Sequence, residues 1–118
     1  MRILKVEPGE APYEKEVDNS LDAIQKEVGG GLFEPIYLDR DIVLCCNEEG
    51  KLNGMAMNRR LGQDIICGPF FLVGEDRHGN FRSLTDEEIA TFSQRFAEPE
   101  QFQEHEPDAE PRWMIISM

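Results

Sequence analysis

Residues 64–74 read Asp64-Ile65-Ile66-Cys67-Gly68-Pro69-Phe70-Phe71-Leu72-Val73-Gly74. From Ile65 to Val73 the run is almost continuously apolar, which predicts a central β-strand buried on both faces. Gly68-Pro69 inside it marks a bulge or an edge position, because proline cannot donate to a ladder and glycine weakens one.

Outward from this strand, Leu32 to Leu38 and Ile42 to Cys46 are two further predicted strands, joined at Asp39-Arg40-Asp41. Asn47 to Gly50 reads as a turn, and Met55 to Leu61 suits either a short helix or a strand. Near the start, Ile3-Leu4-Lys5-Val6 is a β-prone run stopped by Pro8-Gly9, and Tyr13 to Val17 alternates as a weak strand. Asn19-Ser20 offers N-cap candidates for a helix with Leu21, Ile24 and Val28 on one face, ended by Gly29-Gly30-Gly31. Glu75 to Asn80 is a polar turn. Thr85 and Glu88 then form a capping box for a second helix from about Asp86 to Phe96. Leu84 and Ile89 stand at the positions of a hydrophobic staple, and Ile89, Phe92 and Phe96 make a buried stripe. The expected fold is α+β: a small single domain over residues 1–97, with an antiparallel or mixed sheet of four to six strands and two helices.

The chain has 118 residues, with 24 acidic against 12 basic side chains and a formal net charge of -12. Such a surface repels phosphate backbones and anionic membranes, so direct nucleic-acid binding and membrane binding are not expected. Basic protein surfaces are the natural electrostatic partners, and attraction between such faces mainly speeds association. No run approaches the roughly 18 apolar residues of a membrane span, and the first residues lack the pattern of a signal peptide. A cytoplasmic location is expected, in keeping with the odd count of three cysteines.

After Ala97 the composition changes. Residues 98–112 form an acidic linker or tail with three prolines, and residues 113–118 form an apolar segment read either as an edge strand of this or another copy or as a segment that docks on a partner. Glu98, Glu100, Glu104, Glu106, Asp108 and Glu110 all fall on even positions, with Phe102 in the remaining slot. In an extended chain these carboxylates line one face, about 6 to 7 Å apart, a row able to engage a basic groove. Phe102 and Trp113 would be its apolar contacts. The plainer reading is an exposed linker.

The segments Val6-Glu7-Pro8-Gly9, Asn47 to Gly54, Asn58-Arg59 with Leu61, Asp64 to Phe70 and Phe81 to Asp86 carry a resemblance. In order and spacing they resemble an uncharacterised family of small acidic proteins, a domain of unknown function, from bacteriophages and mobile elements of Gram-positive and related bacteria. The resemblance covers roughly residues 2–96. It implies a compact α+β fold and a genomic setting, and it supplies no catalytic residues.

Cys45 and Cys46 are adjacent on a strand and point to opposite faces, so they cannot chelate one ion together. With Cys67 they read as core residues, and no metal or cofactor is expected. His78 and His105 accompany no nucleophile in a recognisable motif, so no catalytic residues are expected. Arg59-Arg60 is the one basic pair of the core, beside Asn58. One reading is a pocket for an anionic, nucleotide-like ligand, with Asn47 or Asn58 supplying hydrogen bonds. The other is that an arginine pairs with Asp64 or a turn carboxylate to hold the Asn58–Asp64 loop. The favoured function is a non-catalytic interaction protein of a phage or mobile element. It would bind a basic protein surface, plausibly to inhibit a host defence; the alternative is the anionic small-molecule binder.

Overall fold

The apolar run is not one strand. Gly68, at φ 91°, and Pro69 divide it into two strands that belong to different sheets. The sequence-based expectation of a single central strand is corrected there: a positive φ followed by a residue without an N–H turns the chain out of one ladder and into another.

The computed structural model describes residues 1–109. Glu110, Trp113 and the edge strand expected of residues 113–118 lie outside the described residues. Along the chain come β1 (Arg2–Val6), β2 (Tyr13–Glu16), α1 (Leu21–Glu27), β3 (Phe33–Asp39) and β4 (Ile42–Asn47). They are followed by β5 (Met57–Leu61), β6 (Asp64–Cys67), β7 (Phe70–Glu75), β8 (Phe81–Arg82) and α2 (Asp86–Arg95). A 3-10 turn at Pro107–Ala109 ends the described chain. The main sheet has the order β2-β1-β7-β4-β3, with β8 continuing beside β7, and β5-β6 form a separate hairpin. All pairings are antiparallel. The fold is a single α+β domain.

β7 is the central strand, and its side chains alternate between two cores, as a period of two requires. Phe70 and Leu72 join Leu4, Val6, Leu44, Cys46, Ile66 and the α2 residues Ile89 and Phe92 on one face. Phe71 and Val73 join Ile3, Val43, Cys45, the α1 residue Ile24 and the α1 C-cap Val28 on the other. Cys45 and Cys46 thus fall in different cores.

Both helices are capped by the expected residues. Ser20 Oγ accepts from the Ala23 N–H at 3.2 Å, and Thr85 and Glu88 exchange bonds of 3.1 and 2.9 Å. Phe96 meets Phe70 edge-on at 5.5 Å between ring centroids, which fixes the end of α2 over the central strand. One stripe residue differs from expectation: Leu21 is 60% exposed, because α1 is only seven residues long and its first turn overhangs the sheet.

Candidate functional site

β5 carries two polar side chains into the interior. Asn58 is fully buried, and its Nδ2 donates to the Val6 and Gly68 carbonyls, both at 2.9 Å. Its Oδ1 accepts from Arg59 Nη1 at 2.9 Å. Arg59 is 1% exposed, and its guanidinium meets only neutral oxygens. Nε and Nη2 donate to the Phe96 carbonyl at 3.3 and 3.0 Å, Nη1 also donates to the Asn58 carbonyl, and Nη2 to the Glu10 carbonyl at 2.6 Å. Counting the bond to Asn58 Oδ1, all five N–H groups of the side chain are committed. Burial pulls the guanidinium pKa down, opposed by the more distant Glu100. Arg59 therefore has no donor left for an anionic ligand; it ties the hairpin to the end of α2 and to the 7–10 turn.

The Asn58–Asp64 stretch is a β-hairpin with Gly62-Gln63 at its tip. The sequence suggests an arginine paired with Asp64 or a turn carboxylate; neither arginine pairs with Asp64. Lys51 takes that place, donating to Asp64 Oδ1, which also accepts the Ile65 N–H at 2.8 Å. Asn47 acts elsewhere. Its Nδ2 donates to the Val28 and Gly30 carbonyls at 2.9 and 2.7 Å, and its Oδ1 accepts the Glu49 N–H at 2.8 Å. One buried amide thus joins the end of α1 to the start of the 48–54 loop.

That loop, β3 and β6 enclose a half-open cleft of about 330 Å³. Ile36, Cys46, Ile65, Ile66, Cys67 and Leu52 supply apolar lining, and Glu34, Glu48, Glu49 and Asp64 supply carboxylates. Among the described residues Lys51 is the one cation of the lining, and it is paired with Asp64. Among the described residues no cation lies in ion-pair range of Glu34, Glu48 or Glu49, and all three are exposed. Leu32, Tyr37 and Leu52 are exposed on the same strand and loops, between 55 and 61%. Glu34, Glu48 and Glu49 were not singled out from sequence. The available signal was the Glu48-Glu49 pair directly after an apolar strand, inside the Asn47 to Gly54 segment.

Arg60 points the other way, toward the tail. Its backbone N–H donates to Glu100 at 2.6 Å, its Nη2 donates to Glu106 at 3.0 Å, and its guanidinium carbon lies 5.4 Å from the Phe102 ring centroid. The expected extended strip of carboxylates is therefore not the geometry of residues 98–109. Glu100, Phe102 and Glu106 turn inward onto Arg60, while Glu98, Glu104 and Asp108 stay exposed. Alternation fails because an ion pair on the hairpin competes with the extended register, and Pro107–Ala109 curls into a 3-10 turn beside β6.

A buried charge cluster was also missed. Lys5, 5% exposed, donates to the Glu27 carbonyl at 2.7 Å and to its carboxylate at 2.9 Å, and Lys15 completes the pair from β2 at 2.9 Å. Burial alone would raise the Glu27 carboxyl; the bonds from Lys15 and Lys5 more than reverse it and hold it below the usual carboxylate range. The signal was a lysine in the middle of the apolar run at the start of the chain.

Burial pushes the thiols of Cys45 and Cys46 up to about 12 and that of Cys67 upward, so none provides a thiolate at neutral pH. His78 lies in an exposed turn organised by Asp76, and His105 lies in the tail. Among the described residues no group of three His, Cys, Asp or Glu side chains is placed to hold a metal, and no helix is long and apolar enough to cross a membrane.

A family model described as a domain of unknown function (DUF3846) matches residues 1–97. No curated protein and no solved structure matches the chain.

Proposed function

We propose a function from the premise that the chain belongs to the DUF3846 family of domains of unknown function: it is a non-catalytic interaction protein that binds a basic protein surface. The observation that carries this reading is the cleft between β3, the 48–54 loop and β6. Its apolar floor can bury an aliphatic or aromatic side chain, and Glu34, Glu48 and Glu49 stand at its edge without a cation of their own among the described residues. A partner that brings Lys or Arg around an apolar contact meets complementary charge at the rim and removes apolar area from water in the middle. That is the usual anatomy of a protein interface.

The net charge of -12 favours such a partner over nucleic acid or an anionic membrane. Together with the sequence resemblance, it supports a setting in the cytoplasm of a cell carrying a phage or mobile element. A basic host-defence protein is the kind of partner that this setting suggests.

The test is a Glu34→Gln/Glu48→Gln/Glu49→Gln chain, compared with the parent for binding of a Lys/Arg-rich peptide and a Glu-rich control across a salt series. Rim charges act over about 8 Å at physiological salt, so neutralising three of them should slow association and flatten the salt dependence. Equal affinity and equal salt dependence for both chains would remove the cleft from the proposal.

A further inference from the structure

Residues 98–109 hold one guanidinium from three directions. Glu100 accepts the Arg60 main-chain N–H at 2.6 Å and lies 3.9 Å from Arg60 Nε. Glu106 accepts from Nη2 at 3.0 Å, and the Phe102 ring covers the guanidinium face. Glu106 is itself held, because its Oε1 also accepts the Gln103 N–H at 3.0 Å. Two carboxylates and an aromatic face recognise a flat, delocalised cation with forked donors, which describes arginine and not lysine. The bond from Glu100 to the main-chain N–H adds a second requirement: the arginine must sit on an extended segment with a free edge. Arg60 meets it, since β5 pairs with β6 on one side and with no other strand among the described residues. Arg60 lies within the 1–97 region matched by the family, whereas every residue gripping it lies beyond that region.

We propose that Glu100, Phe102 and Glu106 form an arginine-binding clamp filled in cis by Arg60, and that an arginine on an extended segment of a basic partner can take Arg60's place. The clamp shares no residue with the acidic cleft and stands or falls independently of it. The Arg60 side chain is 43% exposed and Glu100 32%, so that contact is weak and open to exchange, whereas Glu106, 13% exposed, is the more sheltered half of the clamp. Tethering supplies the rest. A short connection gives Arg60 an effective concentration on the order of millimolar, which masks the clamp from a dilute outside arginine.

Affinity for an outside ligand is divided by the fraction of clamps that are open, so removing the internal competitor should tighten binding by about tenfold or more. The experiment uses the full chain and a fluorescent extended peptide bearing one arginine among uncharged residues, with a lysine counterpart. Arg60→Ala removes the side-chain competitor and leaves only the main-chain bond to Glu100, so it should bind the arginine peptide more tightly than the parent does and should prefer it to the lysine peptide. Adding Glu100→Gln and Glu106→Gln should abolish the gain. A second measurement keeps the result clear if Arg60→Ala loosens the tail. In the parent chain, saturating arginine peptide should move the Arg60 and Gln103 amide resonances, and lysine peptide should not. Unmoved amides, a gain that survives loss of both carboxylates, or equal binding of the two peptides would each overturn the clamp.

Discussion

Arg59 Nη1 donates to Asn58 Oδ1 at 2.9 Å, so two neighbouring residues on one strand satisfy each other in the interior. Neighbours on a strand ordinarily point to opposite faces. Here the ladder slips between Met57 and Arg59, and both side chains end up buried. This pair gathers carbonyls from Val6, Glu10, Gly68 and Phe96, which are remote from one another along the chain.

Arg59→Ala should therefore be among the most damaging single changes. It leaves the Phe96 carbonyl and Asn58 Oδ1 short of a donor in the interior, and buried unsatisfied groups cost about 1–3 kcal/mol each. A loss of roughly 3 kcal/mol or more is expected in urea unfolding. Arg59→Lys should rescue little, since an ammonium has three donors and no fork. A loss below about 0.5 kcal/mol, the level of an ordinary surface change, would show that the network holds nothing together.

Acid should unfold the protein partly through Glu27. Its carboxyl is held below its ordinary value of 4.5 in the folded chain, against the desolvation that burial alone would impose. A depressed folded pKa gives stability that is complete above the unfolded value and lost as pH falls from 4.5 through the folded value. Melting temperature should decline over that window. Glu27→Gln should flatten the decline while lowering stability at neutral pH, because Lys5 keeps its burial and loses its carboxylate. An acid limb unchanged by Glu27→Gln would assign it to other carboxylates.

All three cysteines should resist a thiol reagent in the native state. Cys45, Cys46 and Cys67 are buried, and burial pushes the thiols of Cys45 and Cys46 up to about 12. Labelling at neutral pH should follow unfolding and become immediate in denaturant. Fast native labelling of any one would place it on a surface, and stoichiometric zinc that survives a weak chelator would contradict the separate placement of Cys45 and Cys46.

Gly50→Ala should disrupt the 48–54 loop and the cleft wall together. A Cβ at Gly50 would stand 2.3 Å from the Cys67 carbonyl oxygen, and both partners are backbone-bound atoms with no flexible end to yield. A loss of about 2 kcal/mol or more is expected, as for overpacking a tight interior. Stability equal to the parent would mean that the loop can lift away from β6.

Much of this was readable from residues alone. The capping box of α2, the opposed cysteines and the strands flanking the centre follow from local pattern, and local pattern is what sequence shows. The split at Gly68-Pro69 was visible as a flaw in a strand but not as a change of sheet, because the sheet that β6 joins is set by its pairing with β5. Arg59 was noticed for its charge and read as a ligand or loop residue. Its partners lie 37 and 49 positions away, a distance over which sequence offers no register. The tail was read through its even-numbered carboxylates, yet the docking of Glu100 and Glu106 depends on where the hairpin presents Arg60.

The Phe96 carbonyl, which receives two bonds from Arg59, sets how far the chain must run to complete the surroundings of that guanidinium. A chain ended at Ala97 keeps every hydrogen-bond partner of that guanidinium, whereas one ended at Arg95 would leave it facing an empty position. Among the described residues none after 97 accepts a hydrogen bond from that guanidinium, and Glu100 acts on it only through its charge. The two neighbouring arginines thus divide the chain: Arg59 donates its hydrogen bonds to residues up to Phe96, and Arg60 donates to Glu100 and Glu106 beyond it.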